Sequence, residues 1–225
     1  MIKSLSIIFP VFNEELRLKS SFDHIKSFLK KKKKLKIEII FIDDGSKDNS
    51  YNLINRFIKK IHSKNKTKFK VIKSKTNLGK GGALKLGIKK ARYDWILTTD
   101  IDMSVSLFQI SNWIEKKSIN NKYSVYFGSR THKKSIVKRN LLRKLLGDIG
   151  SFLILIILNI KIKDTQCGYK LYKKRYAKYA FLKLKNIEIK ELPVKWTHKD
   201  NSKVNVFLDP IKMLIGILII KFRYA

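Results

Sequence analysis

Between residues 5 and 99 short apolar runs alternate with longer stretches whose apolar residues recur every three or four positions, and that alternation is what most restricts the fold. Leu5 to Val11 reads as a first strand, closed by Pro10 and the turn-prone Asn13. Glu14 to Leu29 then puts Leu18, Phe22, Ile25 and Leu29 on one helical face. Ile37 to Ile42 is a second strand ending in Asp43, Asp44 and Gly45, and Leu53, Ile54, Phe57, Ile58 and Ile61 mark the helix after it. Phe69 to Ile72, the helix Ala83 to Ala91 and the strand Tyr93 to Thr99 continue the series, with a glycine-bearing turn at Asn77 to Gly82. A helix from Ser106 to Lys117 and a strand from Tyr123 to Gly128 follow. Continuous apolar strands separated by helices predict an α/β fold, a mostly parallel central sheet with helices on both faces. Ligands of such sheets sit beyond the carboxyl ends of the strands.

The 225 residues suit one domain, residues 1–225, with a sizeable core. Charge is the unusual property: 51 Lys and Arg face 17 Asp and Glu, a net +34. Such a field attracts nucleotides, anionic membrane surfaces and nucleic acid alike. Nucleic acid is not expected as a partner, because no basic residues interleaved with aromatics form an RNA-reading pattern and the strands look buried on both faces. The single cysteine, Cys167, excludes a disulfide framework or a Cys-rich metal site and reads as a small buried hydrophobe. No export signal is expected, since Leu5 to Val11 is too short and lacks a cleavage region.

Polar groups gather at the predicted strand ends. Asp100 and Asp102 follow the fourth strand, a spacing that with a divalent metal polarises a pyrophosphate leaving group. Phe12 offers an aromatic wall and Glu14 an acceptor after the first strand. Asp44 is open to a ligand or a structural role, while Ser46 and Asp48 read as helix caps. Gly79, Lys80, Gly81 and Gly82 bring backbone and one cation close to a helix start, yet match neither a Walker motif nor a dinucleotide fingerprint.

The blocks PVFNEE, FIDDGSKDNS, NLGKGGALKLGIKKA, TTDIDMS, FGSRTHKKSIVKRN and DTQCGYKLY occur in this order, followed by ELPVKWTHKDNSKV at 191–204. Together they resemble the family 2 glycosyltransferases, and within them the dolichyl-phosphate β-glucosyltransferase branch and its prokaryotic polyprenyl-phosphate relatives. The resemblance runs from about residue 4 to the C-terminus. It implies a GT-A fold and inverting transfer of a sugar from a nucleoside diphosphate to a polyprenyl phosphate. UDP-glucose is the donor it favours, with GDP-mannose or UDP-N-acetylglucosamine as alternatives. By the same resemblance Pro10, Phe12, Glu14 and Asp44 hold base and ribose, Lys80 lies with the donor-binding residues, and Asp100 and Asp102 hold Mg²⁺ or Mn²⁺. Arg130 and Arg139 look like the cations that meet the acceptor phosphate or donor β-phosphate. A phosphate nucleophile is already anionic, so a strong base is less necessary; Asp164 is the candidate for orientation or proton acceptance. Gln166, Gly168 and Lys170 belong to the block that shapes the pocket, and His132 matches the glucosyl form, with a solvent-exposed structural role as its alternative.

Two departures matter. Met103 follows the metal motif where a small or polar residue is usual, and its thioether is not expected on the metal. The family also carries an acidic helix before the PV-x-W strand; here a helix-length segment is missing near residues 184–186, so a catalytically silent sugar-nucleotide-binding homologue is an alternative. Glu188 and Glu191 are not its replacements, because their surroundings differ. Apolar segments at 149–160 and 211–220, flanked by Lys and Arg, are too short to span a bilayer and fit either the core or a membrane interface. The corresponding expectation is a peripheral or monotopic protein on the cytoplasmic face of a membrane, with a homo-oligomer left open.

Overall fold

Strands β1 (Ser4–Val11), β2 (Lys36–Asp43), β3 (Lys68–Lys73) and β4 (Trp95–Thr98) form one half of a seven-stranded sheet in a computed structural model. The structure describes residues 2–32, 35–62, 67–120, 122–138, 156–157, 161–177, 188–199, 215–216, 218–219 and 222. Helices α1 (Glu15–Lys31), α2 (Ser50–His62) and α3 (Gly79–Lys90) connect these strands in right order for successive crossovers, and α4 (Phe108–Glu115) leads to β5 (Val125–Ser129). Then come β6 (Ile136–Lys138), β7 (Lys170–Lys173), the short α5 (Lys174–Ala177), β8 (Ile189–Pro193) and β9 (Lys195–Thr197).

The sheet order is β3-β2-β1-β4-β7-β5-β8, and β6 pairs with β9 in a separate ribbon. Only β7 runs against its neighbours; β5 and β8 point the same way as β1, β2 and β4. All of their carboxyl ends therefore open on one edge, where β7 begins. The expected mostly parallel sheet is what forms.

Both faces are covered because the strands alternate two apolar rows. Leu5, Ile7, Phe9, Ile39 and Phe41 pack under α1, α2 and α4, whose buried faces include Leu18, Ile25, Phe28, Ile54, Phe57 and Trp113. Ile8, Ile40, Ile42 and Ile96 pack under α3 and α5. A Cβ on Gly87 would overlap the Ile8 side chain, so this glycine lets α3 approach β1 and β2 closely. Pro10 lies beyond Ile8↔Thr98, the last pair of the β1–β4 ladder, so its missing N–H costs no bond to β4.

Element boundaries shift where local hydrogen bonds decide. Gly79 to Gly82, expected as a turn, is the first turn of α3. The helix expected at 106–117 contracts, because the Ser106 Oγ accepts the Phe108 N–H and Lys117 is left-handed with φ 50°. Strands β6 to β9 were not legible as strands: they are three to five residues long and rich in Lys, too short for a period to register.

Glu38, fully buried on β2, ties the opposite edge of the sheet. Its carboxylate accepts the Ser6 hydroxyl (2.6 Å) and the Arg92 N–H, and pairs with Lys70 Nζ at 3.4 Å. Lys70 can turn back to water, whereas the fully buried Ser6 hydroxyl cannot. Glu38→Ala is expected to lower stability by about 3 kcal/mol in urea unfolding. Nucleotide affinity at the far edge should stay unchanged in the folded variant.

Candidate active site

The first wall of the site is made by two crossover loops that cap each other's helices. Asn13 takes a left-handed conformation, φ 53°, so that its side-chain oxygen accepts the Lys47 N–H at 2.7 Å while its own N–H reaches Ser46 Oγ at 2.9 Å. Ser50 Oγ accepts the Glu14 N–H, and Asp48 accepts both the Glu15 and the Ser50 N–H. Glu15 returns the bond to the Asn49 N–H. Asp48 thus caps α2 as expected and reaches the start of α1 as well, while Ser46 serves the loop before α1, a long-range arrangement that spacing within one helix does not reveal. Phe12 stands partly exposed on this wall.

Asp44 closes the next gap. It is buried, its carboxylate accepts the Leu78 N–H at 2.8 Å, and it fixes the entry to α3 against the end of β2. Gly45 has φ 76°, a conformation a side chain would strain, and lies close against the backbone of Thr76 and Asn77. Asp43 beside it is fully buried, and neither carboxylate oxygen has a hydrogen-bond partner among the described residues.

Asp100 and Asp102 leave the end of β4 in a turn where the Ser104 N–H binds the Asp102 carboxylate at 2.9 Å. Met103, φ 56°, buries its side chain in the core. Lys80 Nζ reaches Asp100 at 2.5 Å from the first turn of α3. Arg17 NH1 lies 3.2 Å from Glu14 and 3.9 Å from Asp102, which joins the first wall to the Asp100/Asp102 turn. Sequence reasoning missed Arg17, because its position on α1 looks like any solvated face.

The fit of a divalent ion follows from the donor set. Among the described residues no group of three or more His, Cys, Asp or Glu side chains forms a cage. The two aspartates offer hard carboxylate oxygens with Asp100 still partly open to solvent. That set suits Mg²⁺ or Mn²⁺, which keep several ligand positions for water and phosphate oxygens. Gly168 packs directly against the Asp100 carboxylate, and a Cβ there would overlap its atoms.

Across the cleft, Arg130 follows β5 and is held by Asp164. The Arg130 N–H, Nε and NH2 all donate to the Asp164 carboxylate at 2.8 Å. The Gln166 and Cys167 N–H groups add two more bonds to the same carboxylate. Burial alone would raise the Asp164 pKa, but the hydrogen bonds and charge of Arg130 outweigh it and hold the group below the ordinary carboxylate range. Arg130, penalised by burial, is in turn held above its ordinary value by Asp164. Cys167 is buried, and burial together with the Asp164 charge pushes its thiol up to about 11, which makes it inert. His132 caps a turn through the Lys134 N–H at 3.1 Å.

The structure brings together Phe12, Glu14, Asp44, Lys80, Asp100 and Asp102 along one edge, with Pro10 at its base, and sets Arg130 with Asp164 beside β7 and β5 on the same edge. Arg139 lies outside the described residues, as do the region 184–186 and most of the segments 149–160 and 211–220. No helix among the described residues is long and apolar enough to cross a membrane.

The family model for glycosyl transferase family 2 matches residues 6–181. Dolichyl-phosphate beta-glucosyltransferase of Dictyostelium discoideum is 38% identical over 248 residues, covering 98% of this chain and 74% of that protein. The Homo sapiens protein of that name is 32% identical over 251 residues, covering 99% and 76%. Both stretches are longer than the chain itself, so the relatives carry residues there for which this chain has no counterpart. Among solved structures, glucosyl-3-phosphoglycerate synthase from Mycobacterium tuberculosis superposes with a TM-score of 0.63 at 14% identity, over 96% of this chain and 79% of that one, a likeness of fold. A family model spanning most of the chain, and relatives above 30% identity along nearly all of it, show that the chain is a glycosyltransferase enzyme of family 2.

Proposed function

We propose that the chain transfers glucose from UDP-glucose to a polyprenyl phosphate of the dolichyl type, with inversion at the anomeric carbon. The observation that carries the reading is the pairing of two charge devices on one sheet edge: the Asp100/Asp102 carboxylates after β4 and the Arg130 guanidinium locked by Asp164 after β5. The similarity to dolichyl-phosphate β-glucosyltransferases supplies the sugar and the acceptor class.

In this reading Phe12, Glu14 and Asp44 flank the base and ribose, and Lys80 turns from Asp100 to the donor diphosphate. Asp100 and Asp102 hold Mg²⁺ or Mn²⁺, which when bound stabilises the charge that develops on the departing diphosphate. An acceptor phosphate oxygen forms the new bond to the anomeric carbon as the bond to the diphosphate breaks; the products are UDP and the glucosyl phospholipid. The nucleophile arrives as an anion, so nothing need accept a proton. Asp164, already engaged by five N–H donors, orients Arg130 for the acceptor phosphate, and that guanidinium is worth more as charge moves in the transition state than before it. Arg139 is the proposed second cation.

The lipid reaches the site from a membrane surface. Ile215, Leu218, Ile219 and Phe222 recur three or four positions apart, stand exposed and line one apolar groove. Lys212, Lys221 and Arg223 flank them in sequence. Exposed apolar residues with cations beside them in sequence fit the cytoplasmic, anionic leaflet of a bilayer, on which the protein lies without crossing. A second reading, donor binding without turnover, is favoured by the residues that the relatives carry and this chain lacks.

Three outcomes test these statements. Radiolabelled UDP-glucose with a short polyprenyl phosphate, detergent and Mg²⁺ or Mn²⁺ should give glucosyl lipid, and folded Asp102→Ala should lose at least about a hundredfold in rate. Metal-dependent UDP-glucose binding without transfer to any polyprenyl phosphate would establish the silent reading instead. Gly168→Ala should weaken metal-dependent UDP binding by calorimetry about tenfold or more, since the added methyl displaces Asp100, while metal-free folding stability changes little.

The Asp164 pKa is lowered in the fold, so its contribution to stability is present above the ordinary value of 3.8 and is lost as pH falls through the lower folded value. Wild type and Asp164→Asn should differ in unfolding midpoint at neutral pH and converge in strong acid. An acid limb of transfer that shifts with Asp164→Asn near neutrality would instead mark this group as a proton acceptor.

A further inference from the structure

Glu191 and Lys170 take no part in the reaction just described, yet both are aimed at the loop that carries Asp164. Phe127 on β5 pairs with Lys170 on β7 and with Glu191 on β8, so the three side chains form one row across adjacent strands on a single face of the sheet. The ends of that row are oppositely charged. Glu191 accepts the Lys163 N–H at 3.1 Å and the Asp164 N–H at 2.9 Å. Lys170 Nζ donates to the Thr165 carbonyl at 2.8 Å and lies 4.4 Å from the Phe127 ring centre. Backbone N–H groups before the loop's apex and a carbonyl after it are therefore gripped from below by an anion and a cation.

We propose that Glu191 and Lys170 are positioning residues, a cross-strand clamp that sets the 163–165 backbone and thereby aims Asp164 at Arg130. The proposal rests on the reading of Arg130 as the group that meets the acceptor phosphate. Asp164 binds Arg130 through two parallel N–H bonds and a main-chain bond, so a displacement of the Asp164 backbone is passed to the guanidinium rather than absorbed. Lys170 and Glu191 flank Phe127 on a face that otherwise carries the apolar Tyr172 and Ile189, and Lys170 in particular is a cation drawn from water there. Burial lowers the Lys170 pKa accordingly. The sequence offers Glu191 no role beyond the rejected one of replacing the missing acidic helix; the β5–β8 register supplies this one.

The test uses the full chain and two independent readouts. In nitrogen-15 NMR the Arg130 Nε–H, assigned by its loss in Arg130→Lys, should be protected from solvent exchange in wild type and exchange at least about tenfold faster in Glu191→Ala and in Lys170→Met. In the transfer assay Glu191→Ala should lower kcat about 10- to 100-fold with the UDP-glucose KM within about twofold of wild type. In an Arg130→Lys background the same substitution should cost less than about twofold, because its effect runs through the guanidinium. Equal losses in both backgrounds, or an unchanged Nε–H signal, would overturn the clamp. Should Glu191→Ala unfold, Glu191→Gln, which keeps one acceptor oxygen, and Lys170→Met carry the same comparison. Absence of transfer in wild type would count against the proposed reaction, and the exchange measurement would still decide the clamp.

Discussion

Acidic groups are scarce in this chain, and at the carboxyl edge of the sheet nearly every one is held by a donor of the same molecule. Lys80 faces Asp100, Arg17 bridges Glu14 and Asp102, the Leu78 amide meets Asp44, and Arg130 encloses Asp164. Carboxylates brought this close would otherwise repel one another and resist the approach of a diphosphate. Matching cations make the edge foldable before any ligand arrives. The two sides are matched differently, however. Lys80 and Asp100 are both about half open to water, a pair that can separate. Asp164 is buried and saturated with donors, a pair that cannot.

That contrast suits the two halves of the proposed reaction. A donor diphosphate and its metal enter and leave with each turnover, so the groups that hold them must exchange partners. Flexible lysine on a glycine-rich helix start meets that need. The acceptor phosphate needs a donor array that does not reorganise as charge shifts, and a planar guanidinium fixed through two bonds supplies it. The same reasoning favours orientation over proton acceptance as the proposed role of Asp164: a carboxylate held below its ordinary range and filled with donors is poor at taking a proton, and an anionic nucleophile presents none.

The parts of the structure legible in the sequence are those governed by a local period. β1, β2 and β3 and helix α1 fall within a residue or two of their expected ends, and α2 encloses its expected apolar stripe, because long apolar runs and clear stripes specify them. The aspartates after β4 were legible for a related reason, being attached to the end of a strand that the period marks. Short strands β6 to β9 were not, and with them went the antiparallel insertion of β7. Arg17 goes unnoticed in the sequence, and Glu191 figures there only as a rejected replacement for the missing acidic helix, for the same cause: each acts on residues far away in sequence, and only the fold brings them together.

β7 itself shows why that insertion matters. A parallel strand between β4 and β5 would begin at the far edge and deliver its loop there. Running against its neighbours, β7 starts where β4 and β5 finish, so the loop 164–168 is deposited between the Asp102 turn and Arg130. Gly168 then fits under Asp100 on one side while Asp164 meets Arg130 on the other. One reversed strand thus connects the Asp100/Asp102 turn to Arg130 through five residues of loop. It also means that what moves this loop moves both charge devices at once, which is the reason for a sheet to grip it from beneath with side chains of opposite charge.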